Sequence, residues 1–227
     1  KADVGKLLQF SKLKIKVRAL SNLIKGGPAK WNQPVTTRGR LGLIPGPYVV
    51  DTITVPEDNP WKSWIRCSGF DFFEDGETAA MCSVTGDVWI VSGINEDLKE
   101  LQWRRFATGL FQPLGLKIVE GKVYVLGRDQ ITRLHDLNAD GEADFYENFN
   151  NDISISNHYH EFCLNLSTDP EGNFYFIKGG NLRAATVPHH GCLVRVSKDG
   201  SKLEIVATGH RAPNGMSVGP QGELTSS

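Results

Sequence analysis

Short apolar runs of strand-forming residues recur along this chain, and several close on glycine. "VWIVSG" ends at Gly93, "VYVLG" at Gly127 and "FYFIKG" at Gly179. Runs rich in aromatic and β-branched residues, bounded by turn residues, read as strands. Helical spacing at i, i+3 and i+4 is almost absent. The turns themselves recur: Gly76, Gly121, Gly172 and Gly222 are 45, 51 and 50 residues apart. "ATGLFQPLGLKIVEGKVYV" from Ala107 and "ATGHRAPNGMSVGPQGELT" from Ala207 are offset by 100 residues. That offset makes Ala107/Ala207, Thr108/Thr208, Gly109/Gly209, Pro113/Pro213 and Gly115/Gly215 identical pairs.

A unit of this length with several short strands predicts an all-β chain of propeller blades. Each blade is a small twisted sheet that buries its faces only against its neighbours. A β-sandwich with similar hairpins is the competing architecture. Residues 69–227 hold about three and a half units, and residues 45–68 add one or two strands. A ring needs at least four blades. The expectation is therefore a partial β-propeller over 45–227, covering about three and a half to four blades of a ring that is six-bladed when complete. Residues 1–44 form a basic, partly strand-like N-terminal segment.

The chain has 227 residues, of which 40% are hydrophobic and 22% charged, as in ordinary globular domains. Its apolar runs fall far short of the roughly 18 to 20 residues that span a bilayer, so no transmembrane span is expected. No apolar signal core follows Lys1, and any targeting segment is expected to be already removed or to lie outside this chain. The net charge of −1 hides an asymmetry. Residues 1–40 hold ten of the 25 basic residues and one of the 26 acids, leaving 15 basic and 25 acidic residues beyond. Such an arm can meet phosphate, an anionic membrane or an acidic partner. The K-L-K-I-K-V-R stretch at 12–18 alternates like a solvated strand face and lacks interleaved aromatics, which argues against nucleic acid. The four cysteines, Cys67, Cys82, Cys163 and Cys192, form no C-x-x-C pair and read as small buried hydrophobes.

"DLNADGEADFYE", residues 136–147, fits the twelve-residue calcium-loop pattern. Asp136, Asn138, Asp140 and Asp144 take positions 1, 3, 5 and 9; Glu142 offers its carbonyl at 7, and Glu147 closes the shell. The flanks "KVYVLGRDQITRL" and "DFYENFNND" are strand-like, which excludes a helix–loop–helix sensor and predicts a calcium staple between strands. A solvated acidic turn is the alternative.

Three stretches can reach a channel mouth: "NHYHEF" with His158, His160 and Glu161; "VPHHG" with His189 and His190; and "GHRAPNG" with His210, Arg211 and Asn214. A neutral His160 or His190 can take a hydroxyl proton while an arginine holds an anion. Packing roles for single loop histidines, and transition-metal ligation by the paired ones, stay open. Trp89 reads as core, and Trp61 and Trp64 as candidate stacking surfaces for a sugar. The sequon at Asn165 falls in an expected inner strand. Phosphate-binding, Rossmann and serine-elbow motifs are missing.

"GPYVVDTITVPEDNPW", "GDVWIVSGI", the block "FQPLGLKIVEGKVYVLGRDQITRLHDLNADGEADFYENFNND", "PHHGCLVRVSKDGSKLEIVATG" and "RAPNG" together carry a resemblance. Over residues 45–227 the chain resembles the large planctomycete-type membrane-bound dehydrogenase proteins, whose propeller is related to glucose/sorbosone dehydrogenases. The resemblance implies an exported protein, periplasmic or envelope-associated, that oxidises a sugar or alcohol. It also implies a c-type haem in a separate domain or partner, and pyrroloquinoline quinone with Ca²⁺ as cofactors. "GHRAPNG" is similar to the quinone-binding G-x-R-N-P-x-G motif, with Arg211, Pro213 and Gly215 matching. Ala212 replaces its asparagine, and Asn214 lies two positions on. Their places on these loops make His160, His189, His190 and Arg211 the catalytic candidates, and the resemblance implies that Arg211 and Asn214 hold the cofactor. A propeller that binds carbohydrate or protein without catalysis is the alternative.

Overall fold

The repeated glycines are the points at which the chain reverses. In the computed structural model, which describes residues 20–44, 46–180 and 187–227, Gly76, Gly121, Gly172 and Gly222 all have φ between +68° and +88°. This left-handed region costs any side chain a clash with its own carbonyl, so glycine is the default there. Each sits in the turn joining the innermost strand of a sheet to the next.

A 3-10 helix, Leu20–Lys25, precedes fifteen strands. The first sheet has the order β1-β5-β4-β3-β2, with β1 (Val35–Thr37), β2 (Cys67–Phe72), β3 (Ala79–Ser83), β4 (Val88–Ser92) and β5 (Leu101–Ala107). The second is β6 (Gly115–Val119), β7 (Lys122–Leu126), β8 (Ile131–His135) and β9 (Phe145–Asn150) in sequence order. The third is β10 (Cys163–Thr168), β11 (Phe174–Lys178), β12 (Cys192–Val196) and β13 (Leu203–Thr208). A final hairpin pairs β14 (Met216–Val218) with β15 (Leu224–Ser226). All pairings are antiparallel. These are three full blades and the inner half of a fourth, matching the count of repeats. Val35–Thr37, from the basic segment, forms the outer edge of the first blade. The stretch at 12–18 lies outside the described residues.

Period-two alternation decides how blades stack. On β7, Val123 and Val125 join the first-to-second blade core with Ala80, Val88 and Leu116, while Tyr124 and Leu126 face the third blade. On β11, Phe174 and Phe176 face the second blade, and Tyr175 and Ile177 pack with Met216 under the last hairpin. Both faces of a middle strand are thus buried, which explains the continuous apolar runs. Trp89 and Trp103 lie in the core of the first blade, Trp61 packs on Trp89 at 5.7 Å, and Trp64 is exposed. Cys82, Cys163 and Cys192 are buried free thiols; Cys67, at the start of an inner strand, is exposed instead.

The inner strands β2, β6 and β10 lie side by side around a central groove, with β14 beside β10. Their approach is close enough to require glycine: a Cβ on Gly115 would lie 2.7 Å from the backbone C and O of Asn165.

Candidate functional site

In an antiparallel meander alternate connections gather at the same end. The connection 151–162, the described parts of the β11-to-β12 connection (179–180 and 187–191) and the connection 209–215 therefore share one end of the groove, and the β8-to-β9 connection holding residues 136–144 lies at the other. The histidine stretches are brought together, whereas the acidic loop is remote from them.

Strand register places Cys163 opposite Lys178 and Lys178 opposite Cys192. Lys178 thus ends the second strand of the third blade, and its side chain is fully buried. Glu161, two residues before β10, is equally buried, with Oε2 3.6 Å from Lys178 Nζ. Neither charge can remain in a dry interior without a partner. Lys178 also donates to the Ser154 carbonyl at 2.6 Å, and the Ser156 hydroxyl donates to Glu161 Oε2 at 2.7 Å. The other oxygen, Oε1, lies 3.3 Å from His190 Nδ1.

Glycine makes room for this ring: a Cβ on Gly180 would meet His190 Nε2 and the Gly191 Cα at 3.0 Å. The Gly180 N–H donates to the His210 and Arg211 carbonyls, tying the third connection to the second. With Nδ1 turned to Glu161, Nε2 is the ring nitrogen away from the carboxylate. His189 is arranged the other way. Its Nδ1 accepts the Ser154 N–H at 2.9 Å, and burial, followed by the Lys178 charge, lowers its pKa. His189 is therefore a neutral donor through Nε2, not a base. Burial pushes the Cys163 thiol up to about 12 and Cys192 to about 11, so the thiols beside Lys178 are not nucleophiles.

Arg128, from the preceding blade, is buried and reaches across the blade boundary. It donates to the carbonyls of Ser156 and His158 and to Gln112 Oε1, and lies 5.0 Å over the Phe162 ring. Two buried cations thus hold the loop that delivers Glu161. His160 is exposed, with its ring centroid 4.0 Å from that of Tyr159. Arg211 and Asn214 are exposed on the neighbouring connection, and Ala212 between them carries no donor. This stretch supplies at most part of a carboxylate clamp for a quinone, and no chemical step follows from one.

Arg128 and Lys178 were not singled out by motif. Lys178 had a signal: it is the one charge in an apolar strand run, "FYFIK", whose neighbours on both faces are buried.

At the far end, Asp140 and Gly141 N–H groups donate to Asp136, the Asp140 N–H donates also to Asn138 Oδ1, and the Glu142 N–H donates to Asp140 Oδ1. Asp144 accepts from Leu137 and Gly27, and Glu142 from Trp31, while Asn138 donates to the Gly27 carbonyl at 2.6 Å. The loop therefore binds the 27–31 segment. Glu147 stands opposite Arg133 in the β8/β9 register and is held by Arg133 Nε and His135 Nε2, each at 2.6 Å. Among the described residues no three His, Cys, Asp or Glu side chains form a metal-holding group. As arranged, these carboxylates are not a closed calcium shell.

No family model and no curated protein matches the sequence. Solved structures do match in shape. A protein assigned as a gluconolactonase aligns with 14% identity and a TM-score of 0.52, over 92% of this chain and 63% of its own. A glucose dehydrogenase aligns with 15% identity and a TM-score of 0.54, over 71% of this chain and 57% of its own. A second glucose dehydrogenase has the same identity and score, with 61% of its own length covered. The fold is a β-propeller. This excludes the sandwich, and the chain spans about three fifths of the length of the propellers it matches.

Proposed function

We propose that the groove mouth binds a sugar or similar polyhydroxylated small molecule, and that His190 removes a proton from one of its hydroxyl groups. The observation carrying this reading is the buried Glu161–His190 pair beside Lys178. A carboxylate that orients Nδ1 leaves Nε2 available as general base, a role worth roughly 10²–10⁴-fold in rate. Lys178 Nζ stands 3.6 Å from Glu161 Oε2 as its buried charge partner, and Arg128 fixes the loop carrying it. His189 Nε2–H and exposed Arg211 supply donors to the ligand's oxygens. Solved propellers named for glucose and gluconolactone share the fold, which supports a sugar as ligand.

In the oxidative form of this reading, proposed from the sequence resemblance, Arg211 and Asn214 would help hold a quinone, which would supply the electron acceptor, with a haem of another domain or chain as the alternative source. Export to the cell envelope belongs to the same proposal. Ala212, where a donor is needed, favours a second reading, in which the mouth binds carbohydrate without turnover. The test uses the full-length protein with Ca²⁺ and pyrroloquinoline quinone, a panel of sugars, and a reducible dye. Turnover that falls about 100-fold or more in His190→Asn supports catalysis. Saturable sugar binding without dye reduction selects the second reading, and neither binding nor turnover refutes both.

A further inference from the structure

One matched position on the inner strands is glycine in three blades and asparagine in the other. Gly69, Gly115, Asn165 and Gly215 follow one another at intervals of 46, 50 and 50 residues. They are also neighbours in space. A Cβ on Gly69 would meet the Gly115 carbonyl carbon at 2.9 Å, one on Gly115 the Asn165 carbonyl at 2.7 Å, and one on Gly215 the Asn165 Oδ1 at 3.8 Å.

Asn165 adopts φ +58°, the left-handed conformation that glycine takes without penalty. The β10/β11 register is irregular here, between Leu164 and Ser167. Among the described residues the Asn165 carboxamide has no hydrogen-bond partner; only its backbone N–H bonds, to the Leu114 carbonyl at 3.2 Å. Asn165 is thus left-handed where Gly69, Gly115 and Gly215 are not, and backbone outliers of this kind concentrate at binding sites.

The residue lines a groove cavity of about 370 Å³, together with Ser68, Lys117 and Ser167. That volume lies within the roughly 300–1,000 Å³ of small-molecule sites. Asn165 is two residues along β10 from Cys163, whose strand partner is Lys178. At about 3.3 Å per residue, it sits roughly 7 Å along the strand from the Cys163–Lys178 level. A ligand held at His190 is read here only if it extends from the mouth along the groove into this cavity.

We propose that Asn165 is the specificity-determining residue of the site, its carboxamide donating to one hydroxyl of a polyhydroxylated ligand and accepting from the next. The inference rests on the mouth being that ligand's site. Asn165→Gly in the full-length protein tests it, because this change restores the residue found at the other three positions. Without ligand, the melting temperature is expected to hold or to rise by up to about 2–4 °C as strain is removed. Binding of D-glucose and of glucono-1,5-lactone, followed by NMR titration, is expected to weaken about tenfold for the lost hydrogen bonds. A melting temperature that falls by several degrees would make Asn165 a structural residue and overturn the proposal. Unchanged affinity for both ligands would overturn it while leaving the His190 reading intact. A wild-type protein that binds neither ligand overturns both, and an unchanged melting temperature in the variant does not rescue either.

Discussion

Replacing Glu161 by glutamine tests the buried constellation directly. Glu161 and Lys178 are both fully buried, with 3.6 Å between their charged atoms. At an effective dielectric of about 20, that separation corresponds to ~4–5 kcal/mol of attraction. Desolvation offsets much of this while the pair is intact. Removing one partner leaves the other's desolvation uncompensated, which costs about 3–5 kcal/mol. Lys178 keeps the Ser154 carbonyl in Glu161→Gln, so the lower part of that range, about 3 kcal/mol, is expected. For a chain of this size, 1 kcal/mol shifts the melting temperature by about 2–4 °C, so a fall of roughly 6–12 °C follows. The assay is thermal and urea unfolding of the wild type, Glu161→Gln, Lys178→Met and the double variant. The double variant removes both charges and is expected to recover most of the loss. A Glu161→Gln protein within about 1 kcal/mol of wild type, or losses that simply add, would refute the claim that the two charges depend on each other.

The remaining predictions concern separate parts of the molecule. Gly115→Ala drives a Cβ to 2.7 Å from the Asn165 backbone and should cost about 1–3 kcal/mol, whereas Gly76→Ala meets nothing within 4 Å and should cost about 1 kcal/mol for its φ of +68°. Equal unfolding midpoints for the two would contradict close inner-strand packing. His189 has a lowered folded-state pKa, so below its unfolded value near 6.5 the unfolded chain binds more protons. Stability is therefore present above pH of about 6.5 and falls as pH drops toward the folded pKa; His189→Asn should flatten this slope in urea titrations at stepped pH. Calcium binding at residues 136–144 is proposed from the loop pattern. With Glu147 held by Arg133, affinity should be weak, so millimolar Ca²⁺ raises the melting temperature by a few degrees, EGTA reverses it and Asp140→Ala abolishes it. Indifference to Ca²⁺ would make the loop only a clasp for residues 27–31.

Blade number, turn positions and the burial of both strand faces were legible because each depends on local chemistry. Gly76, Gly121, Gly172 and Gly222 announce themselves by type and spacing, and "VYVL" and "FYFI" announce two buried faces by lacking polar alternation. The matched pairs from Ala107 and Ala207 likewise mark equivalent places in two blades. Asn165 was visible only as a sequon, since its meaning depends on glycines about 50 residues away on either side.

Local chemistry set a repeated β architecture and put five of the six histidines into three connections, because turn conformation and strand alternation are settled within a few residues. Only the tertiary structure decided which of those groups act together. Lys178, Glu161 and His190 come from different parts of one blade, and Arg128 from another, and they meet because antiparallel meanders return their connections to the same end. The same register pairs Glu147 with Arg133, and its carboxylate is held by Arg133 and His135. Long-range pairing of this kind is a property of the folded sheet, and no short segment carries it.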